Sequence, residues 1–568
     1  MVDSPSHEPT GLDVDLLVAG GGPCGLMLAN ELGRRGIRCL VVDAKPDTAF
    51  NPQANATQAR TMEHFRRLGF ADEVRAQGLP PDHPTDIAYF TRYAHHELAR
   101  LRLPTAAQAI VDVRSMKGSW SAAELPHRVS QKFVERTLRR HAQAHASVEL
   151  RYGWRLERFD DDGDAVNATV RRVEGGSPRP VRARYLVGAD GARSLVRREL
   201  GIEWSGTTGI QREFMGGRMF AVYLRAPDFA SVLQGPKAWM YVAVNHRRRA
   251  FMASVDGVAE YAFHAAVQPG EDAEHWGEAD ARRVFAEAVG VELPIDVLST
   301  GTWLAGHALV AQCFQRQRVF LAGDAAHLFT PTGGLGYNTA VEDAVNLAWK
   351  LASVIQGRAP AALLDSYEVE RKRVALRNTG FARRFADSVG LFNARPELEE
   401  ASERGEAERR IAAQYLDEHA RLEFNIPGVT FGARYDGSPV IVGDGAVLPP
   451  DEPNVYVHTA SPGGRPPHAW LEGGRSLFDT FHGEWTLLVL GPEPVRTDAF
   501  EAAARETRTD LRVVRLPQAG LRELYEAPLA LIRPDQIVAW RGASAHDATA
   551  VMERVTACAA PYPRAPLH

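Results

Sequence analysis

Val14-Asp15-Leu16-Leu17-Val18-Ala19-Gly20-Gly21-Gly22-Pro23-Cys24-Gly25, followed after a helical stretch by Ile37-Arg38-Cys39-Leu40-Val41-Val42-Asp43, decides the fold. An apolar run ends in glycines, a helical period covers 23–35 and a second apolar run covers 37–42, so the pattern predicts strand, helix, strand. Gly20, Gly22 and Gly25 have GxGxxG spacing. The first allows a tight turn, the second lets backbone approach a pyrophosphate, and the third admits close helix packing. The helix that begins at Pro23 offers unpaired N–H groups to phosphates. Asp43 closes the second strand 18 residues after Gly25. A carboxylate there accepts from ribose hydroxyls and repels a 2′-phosphate, which points to an adenine dinucleotide, FAD or NAD. An ordinary glycine-rich loop would not need both strands and the acid.

Outward from this unit, a helical period returns over 129–145. The stretch 150–187 alternates, with Asp160-Asp161-Asp162-Gly163-Asp164 as a solvated hairpin tip. Strand-like segments at 219–224, 238–244 and 250–255 and a helix near 279–288 form an α+β insert. After Arg318 an apolar strand runs into another glycine turn, then into helical patterns over 340–355 and 361–384. A charged stretch at 395–421 reads as helix and linker, and strands with Pro/Gly turns follow a boundary near Phe431.

At 568 residues the chain exceeds one core, and two or three domains are expected. Hydrophobic residues are 45% and charged ones 24%, the balance of a folded globular protein. Net charge is −5 with basic residues scattered, which argues against a nucleic-acid partner. Cys24, Cys39, Cys313 and Cys558 have no metal-ligand spacing, so no metal site is expected, and free thiols suit a cytoplasmic protein. No apolar run reaches about 18 residues, so no membrane span is expected, and 1–12 read as a disordered tail.

Two further segments separate FAD from NAD. One is Tyr185-Leu186-Val187-Gly188-Ala189-Asp190-Gly191-Ala192-Arg193-Ser194. The other is Val319-Phe320-Leu321-Ala322-Gly323-Asp324-Ala325-Ala326-His327 with Pro331-Thr332-Gly333-Gly334-Leu335-Gly336-Tyr337-Asn338 and Glu342-Asp343-Ala344. Here the chain resembles the class A flavoprotein aromatic hydroxylases, the para-hydroxybenzoate and phenol hydroxylase superfamily. The resemblance implies flavin and nicotinamide contacts at Asp190 and Arg193, ribitol binding at Gly323 and Asp324, and a flavin-facing helix start at Gly334, Gly336, Tyr337 and Asn338. It puts Pro331 at the flavin face near the substrate and gives His327 a structural role. It extends to Pro52-Gln53-Ala54-Asn55-Ala56-Thr57-Gln58, with Gln53 where many members have Arg, and to Gln131 at a flavin contact. Gln53 matches the phenol hydroxylase branch, but Asn55 stands where that branch has an aspartate, and an amide is no base. Gly464 to Leu471, Ser476 to Asp479 and Leu531 to Arg541 resemble the appended thioredoxin-like domain of that branch; lacking CxxC, this one has no dithiol chemistry and serves packing or oligomer formation.

The expected fold is therefore α/β: a Rossmann-type FAD-binding domain (13–86, 105–203, 300–394), an inserted α+β substrate domain (87–104, 204–299), a helical linker (395–430) and a C-terminal thioredoxin-like α/β domain (431–568). As the resemblance implies, NADPH or NADH reduces FAD, O2 adds at flavin C4a, and the hydroperoxide hydroxylates a phenolic or related heteroaromatic ring. With no second flanked GxGxxG, the reductant docks transiently. Substrate-side candidates are Asn55, Tyr223, Tyr241 and His264, each weighed against an ordinary sheet residue. Met215, Met219, Met240 and Met252 could line a cavity or simply fill a core. A homo-oligomer, dimer or higher, is expected. The competing readings are a flavin oxidase or other non-hydroxylating NAD(P)H-consuming flavoenzyme, and a flavin-containing protein that sequesters a small molecule.

Overall fold

The computed structural model describes residues 11–209 and 216–558. Most of the expected tail, together with Met215, lies outside the described residues.

The dinucleotide unit forms as its pattern dictates: strand Val14–Ala19, helix Pro23–Gly33, strand Cys39–Asp43. These strands run parallel beside Arg179–Gly188, Val319–Leu321 and Val148–Tyr152 in an eight-stranded sheet. Leu16, Leu17 and Val18 are fully buried, as a parallel strand covered on both faces requires. The hairpin Trp154–Asp161 and Val166–Arg172 extends the sheet, and its acidic tip is held by Asp161 and Asp162 carboxylates accepting from Gly163, Asp164 and Ala165 N–H groups.

The substrate unit is a seven-stranded sheet. Its lateral order is Asp296–Ala305, Gly217–Arg225, Glu260–Ala266, Ala250–Ser254, Met240–Ala243, Ile87–Phe90 and Glu97–Leu101. Alternation gives it two faces. Phe220, Val222, Tyr241, Met252 and Phe263 form the back core with the helix Glu278–Val289. Met219, Val242, Ala253 and Ala266 belong to the front, packed with residues of the helices Asp365–Gly390 and Glu403–Phe424.

The domain expectations need two corrections. Asp296–Ala305 pairs along its whole length with Gly217–Arg225, so the insert's sheet continues past 299. Trp204–Thr207 instead pairs with Ala308–Ala311 in a separate three-stranded sheet, because the chain re-enters the insert only afterwards.

Beyond Phe431 the chain does not enter the last domain at once. Residues 432–471 contain no named helix or strand and run across the flavin domain, where the Arg465 guanidinium meets Glu63 and the Tyr456 and Ser119 segments exchange hydrogen bonds. The thioredoxin-like sheet follows, in lateral order Leu511–Leu516, Trp485–Leu490, Leu529–Ile532, Val538–Gly542.

Candidate active site

Register assembles the cofactor site from motifs far apart in sequence. Ala19 stands beside Val42 and Gly188, and Gly188 beside Leu321. The Gly20, Asp190 and Asp324 turns therefore leave the sheet at one carboxyl edge, the ligand edge of such sheets. Backbone bonds lock the edge: Gly20 N to Val42 O (2.8 Å), Ala189 N to Ala19 O (2.7 Å) and Ala322 N to Gly188 O (3.0 Å).

The first turn is a cradle that side chains would fill. Gly20 has φ +113°, and a methyl there would meet Ala189 O at 2.1 Å. A methyl on Gly25 would meet Gly20 O at 1.9 Å, whereas beside Gly22 there is open space. Pro23 occupies the first helical turn, where its missing N–H costs nothing. Asp43 accepts from Gly21 N (2.7 Å) and Lys45 N (2.7 Å), which fixes its carboxylate at the strand end.

Asp324 lies within the protein's bulk, yet its side chain is exposed to the cleft. Burial raises its pKa, with His327 opposing and Asp343 adding. The turn that carries it hangs on Asp343, which is fully buried and accepts from Gly323 N (3.0 Å), His327 Nε2 (2.7 Å) and Arg371 Nε (2.7 Å). Burial pushes the Asp343 carboxyl up, but His327 and Arg371 outweigh it and hold it below the usual range. His327 is thus a buried strut.

At the next turn Gly333 and Gly334 take φ of +61° and +66° and open the helix Leu335–Ile355. First-turn N–H groups at Leu335, Gly336 and Tyr337 have no intrahelical acceptor and form an anion-favouring terminus. Pro331 is exposed at the start of this loop. The loop is pinned from both sides, by Thr332 Oγ1 donating to Ala382 O (2.8 Å) and Gln58 Nε2 donating to Gly333 O (3.1 Å).

Asn338 differs from expectation. Its Oδ1 accepts from Gln58 N (2.9 Å) and Thr61 Oγ1 (2.7 Å), and its Nδ2 donates to Ala56 O (3.0 Å) and Gly334 O (2.6 Å). The amide is spent on holding the 54–61 segment against the glycine turn, leaving nothing for a ligand. Asp190 is half committed: one oxygen accepts from Leu195 N and Val196 N, while Oδ1 is buried without a partner among the described residues. Burial raises its pKa against those hydrogen bonds. Arg193 and Gln53 are exposed, and Gln131 ties its backbone N to Ala54 O (2.7 Å) and its side chain to Glu135 (2.6 Å).

The substrate-side candidates separate by sheet face. Tyr241 is on the back, 1% exposed, edge-on to Phe229, its hydroxyl accepting from Ala238 N (2.8 Å). It is a core residue, and Met252 shares that core. Tyr223 faces forward, but its hydroxyl is held between Lys132 and Glu260, with Phe50 edge-on at 5.6 Å. His264 faces forward too, stacked on Phe251 (4.6 Å) and accepting at Nδ1 from Trp303 Nε1 (3.1 Å). Burial lowers its pKa to about 4, so the ring is neutral with its proton on Nε2.

Between these larger groups the front face is built of small residues: Ala221 opposite His264 and Gly301, and Ala253 opposite Ala262 and Met240. Ala253 and Ala262 are closed over in the core, whereas Ala221 and Gly301 stay open as a small-residue floor rimmed by the half-buried Met240, Phe251, His264 and Trp303. Asn55 Oδ1 and Ser130 Oγ are buried without partners among the described residues. Gln58, Thr61, Asp343 and Arg371 carry the loops, yet composition and spacing give such struts no signal beyond lying near the motifs.

The open space at Gly22, the cleft-facing carboxylate of Asp324, the unpartnered Asp190 oxygen and two helix starts fit a flavin dinucleotide. A family described as FAD binding domain matches residues 13–382, and one described as aromatic-ring hydroxylase, C-terminal, matches 459–559. Aklavinone 12-hydroxylase RdmE of Streptomyces purpurascens is 32% identical, over 96% of this chain and 98% of that one. Phenol 2-monooxygenase of Pseudomonas sp. strain EST1001 is 28% identical over 98% and 95%. The crystal structure of the flavin-dependent monooxygenase PieE in complex with FAD and substrate superposes with TM-score 0.84 at 31% identity, covering 96% of this chain and all of that one. The chain belongs to the FAD-dependent aromatic-ring monooxygenases.

Proposed function

We propose that this enzyme hydroxylates a phenolic or related heteroaromatic ring, consuming one O2, one NAD(P)H and one proton and releasing water with the oxidised nicotinamide. The observation that carries this reading is the position of Ala56. A methyl on Gly334 would meet Ala56 Cβ at 3.2 Å, and Ala56 packs against the same front-face core against which Met240, Phe251 and Trp303 pack. One backbone segment is therefore the wall of both the flavin helix start and the small-residue floor. A ring lying on that floor would be next to the flavin site, with the sheet behind it.

The residues that would hold FAD are Gly20, Gly22, Pro23, Gly25, Asp43, Asp190, Asp324 and the turn Gly333 to Tyr337; bound there, FAD supplies the redox chemistry and activates O2. The chain's own part is positioning, dryness and proton control. The helix start at Leu335 favours negative charge at the flavin edge. Asn55 Oδ1 accepts from the substrate hydroxyl and orients it without removing the proton, as an amide is not a base. Neutral His264 offers Nε2–H as a donor. The four free cysteines agree with work in the reducing cytoplasm, and no described helix is long and apolar enough to cross a membrane.

Anaerobic stopped-flow reduction of the yellow holoenzyme by NADH and NADPH, with and without a panel of phenols and hydroxylated heteroaromatics, tests the proposal. The expected result is acceleration of flavin reduction by one compound by orders of magnitude, with an aerobic product heavier by one oxygen. Fast reduction without any aromatic, giving hydrogen peroxide alone, would put the oxidase reading ahead.

A further inference from the structure

Arg128 has a position that the functions assigned so far do not use. Thr57 and His127 form an antiparallel bridge, N to O at 2.9 and 2.8 Å, and Gln131 N bonds Ala54 O, so Arg128 stands opposite Ala56 in the wall just described. Its guanidinium carbon lies 4.5 Å over the ring of Trp239, a buried member of the same front-face group as Met240, Phe251 and Trp303. Among the described residues Arg128 has no carboxylate partner and no hydrogen-bond acceptor; the Trp239 ring is its one contact of this kind. The contrast within the molecule is sharp, since buried Arg371, Arg465 and Arg533 each hold at least one carboxylate.

A half-buried guanidinium with no counter-charge among the described residues is costly, and an aromatic face offsets only a minor part of that cost. Burial lowers its pKa to about 10, which leaves it a cation at neutral pH. Among the described residues none of its five planar donors is spent, and that fork, beside the aromatic front face, matches a carboxylate or another oxyanion in two-point contact.

We propose that Arg128 is the anion-recognition residue of the substrate cavity, and that the ring this enzyme hydroxylates carries an acidic group, a carboxylate or an ionised hydroxyl, seated beside Trp239. This rests on the reading of the cavity as the substrate site. It divides recognition between two ends: Arg128 takes the charge, while Asn55 and His264 take neutral polar groups. Arg128 then fixes how the ring lies over the small floor, and with it which carbon faces the flavin.

The test uses holoenzyme and a matched pair of probes, 1-hydroxy-2-naphthoate and 1-hydroxy-2-naphthamide, which share ring and hydroxyl and differ in charge. Dissociation constants come from perturbation of the flavin absorbance. Wild type is expected to bind the acid at least tenfold more tightly than the amide. In Arg128→Gln that preference falls to about threefold or less, and Arg128→Lys keeps part of it, the usual gap between a charged and a neutral hydrogen bond. FAD content and flavin spectrum of each variant report the fold, and the lysine variant carries the test if the glutamine one does not accumulate. A wild type that binds the two equally or binds neither, or a preference that survives in Arg128→Gln, overturns the proposal. A rise in the NADPH KM with the acid-to-amide ratio unchanged also overturns it, by assigning the arginine to the reductant. Product mass is read separately: hydroxylated amide with no preference for acid refutes Arg128 alone, whereas NADPH consumption with no oxygenated product from either probe counts against the hydroxylase.

Discussion

Asp343→Asn exchanges a carboxylate for a group of the same shape and so isolates charge from packing. Three donors converge on Asp343, from Gly323, His327 and Arg371, at 3.0, 2.7 and 2.7 Å in a fully buried setting. An amide has one oxygen to offer them, and its NH2 must face a donor. Arg371 keeps Glu342 (3.2 Å), the Tyr435 hydroxyl (2.8 Å) and Thr339 O (3.1 Å), so it is not stranded. Breaking a buried pair costs about 3–5 kcal/mol, and these remaining contacts put the expectation at the lower end, about 3 kcal/mol. Melting of the apoprotein should then fall by on the order of 3 °C, and freeing the Gly323–Asp324 turn should weaken FAD binding roughly tenfold, as one lost charge-assisted contact would. Differential scanning fluorimetry of apoprotein and holoprotein, with FAD affinity from quenching of flavin fluorescence, measures both. Glu342→Gln is the control, because its carboxylate is partly exposed and a shift of less than about 1 kcal/mol is expected. If Asp343→Asn melts within a degree of wild type and keeps wild-type FAD affinity, the carboxylate is not what holds the turn.

The Glu63–Arg465 pair joins the extended 432–471 segment to the flavin domain at 2.5 Å with both side chains buried. Burial pushes Glu63 up, but Arg465 and Arg60 carry its pKa from 4.5 down to about 2. A depressed carboxylate stabilises fully above its unfolded value, so a contribution of about 3 kcal/mol is present above about 4.5 and lost as pH falls toward about 2. The stability gap between wild type and Glu63→Gln in urea should narrow steadily from pH 6 to pH 3, and a gap independent of pH would refute this assignment. In the cavity, Ala221→Phe fills the floor between His264 and Gly301. Aromatic stimulation of flavin reduction should fall at least tenfold with FAD stoichiometry unchanged, whereas loss of FAD would show that the strand supports the cofactor instead.

The strand–turn–helix unit was legible because its evidence is local: apolar runs, glycine spacing and a terminal acid within thirty residues each have a backbone cause. Helices such as Leu335–Ile355 and Glu278–Val289 followed from their period. The substrate site was less legible because it depends on which face of a sheet a residue takes, and parity is set by register. Tyr223 and Tyr241 looked equivalent in sequence, yet one faces the flavin domain and the other the rear helix. The insert's last strand was cut at 299 because its partner, Gly217–Arg225, lies some eighty residues earlier and nothing local marks where the pairing stops. Asn338 sits in a flavin motif and was read as a ligand, but only its four partners, three of them in the 54–61 segment, reveal a strut.

That strut links cofactor and substrate recognition. Asn338 bonds Ala56 O and Gln58 N from the flavin helix, and Gln131 N bonds Ala54 O from the opposite side. The 54–58 segment is thereby held as a strip with Asn55 and Ala56 along it and Arg128 facing it across the His127–Thr57 bridge. A shift of the flavin helix start would be transmitted through two amide hydrogen bonds to the wall proposed to seat the ring, and a ligand pulling on Arg128 would act on the same strip from its other edge. Control of flavin reduction by substrate needs such a mechanical route, since a ligand alters reactivity only through interactions that differ between two arrangements. Here the strip is one residue thick between the two sites, so disturbance of either recognition group should change flavin reduction and ring binding together.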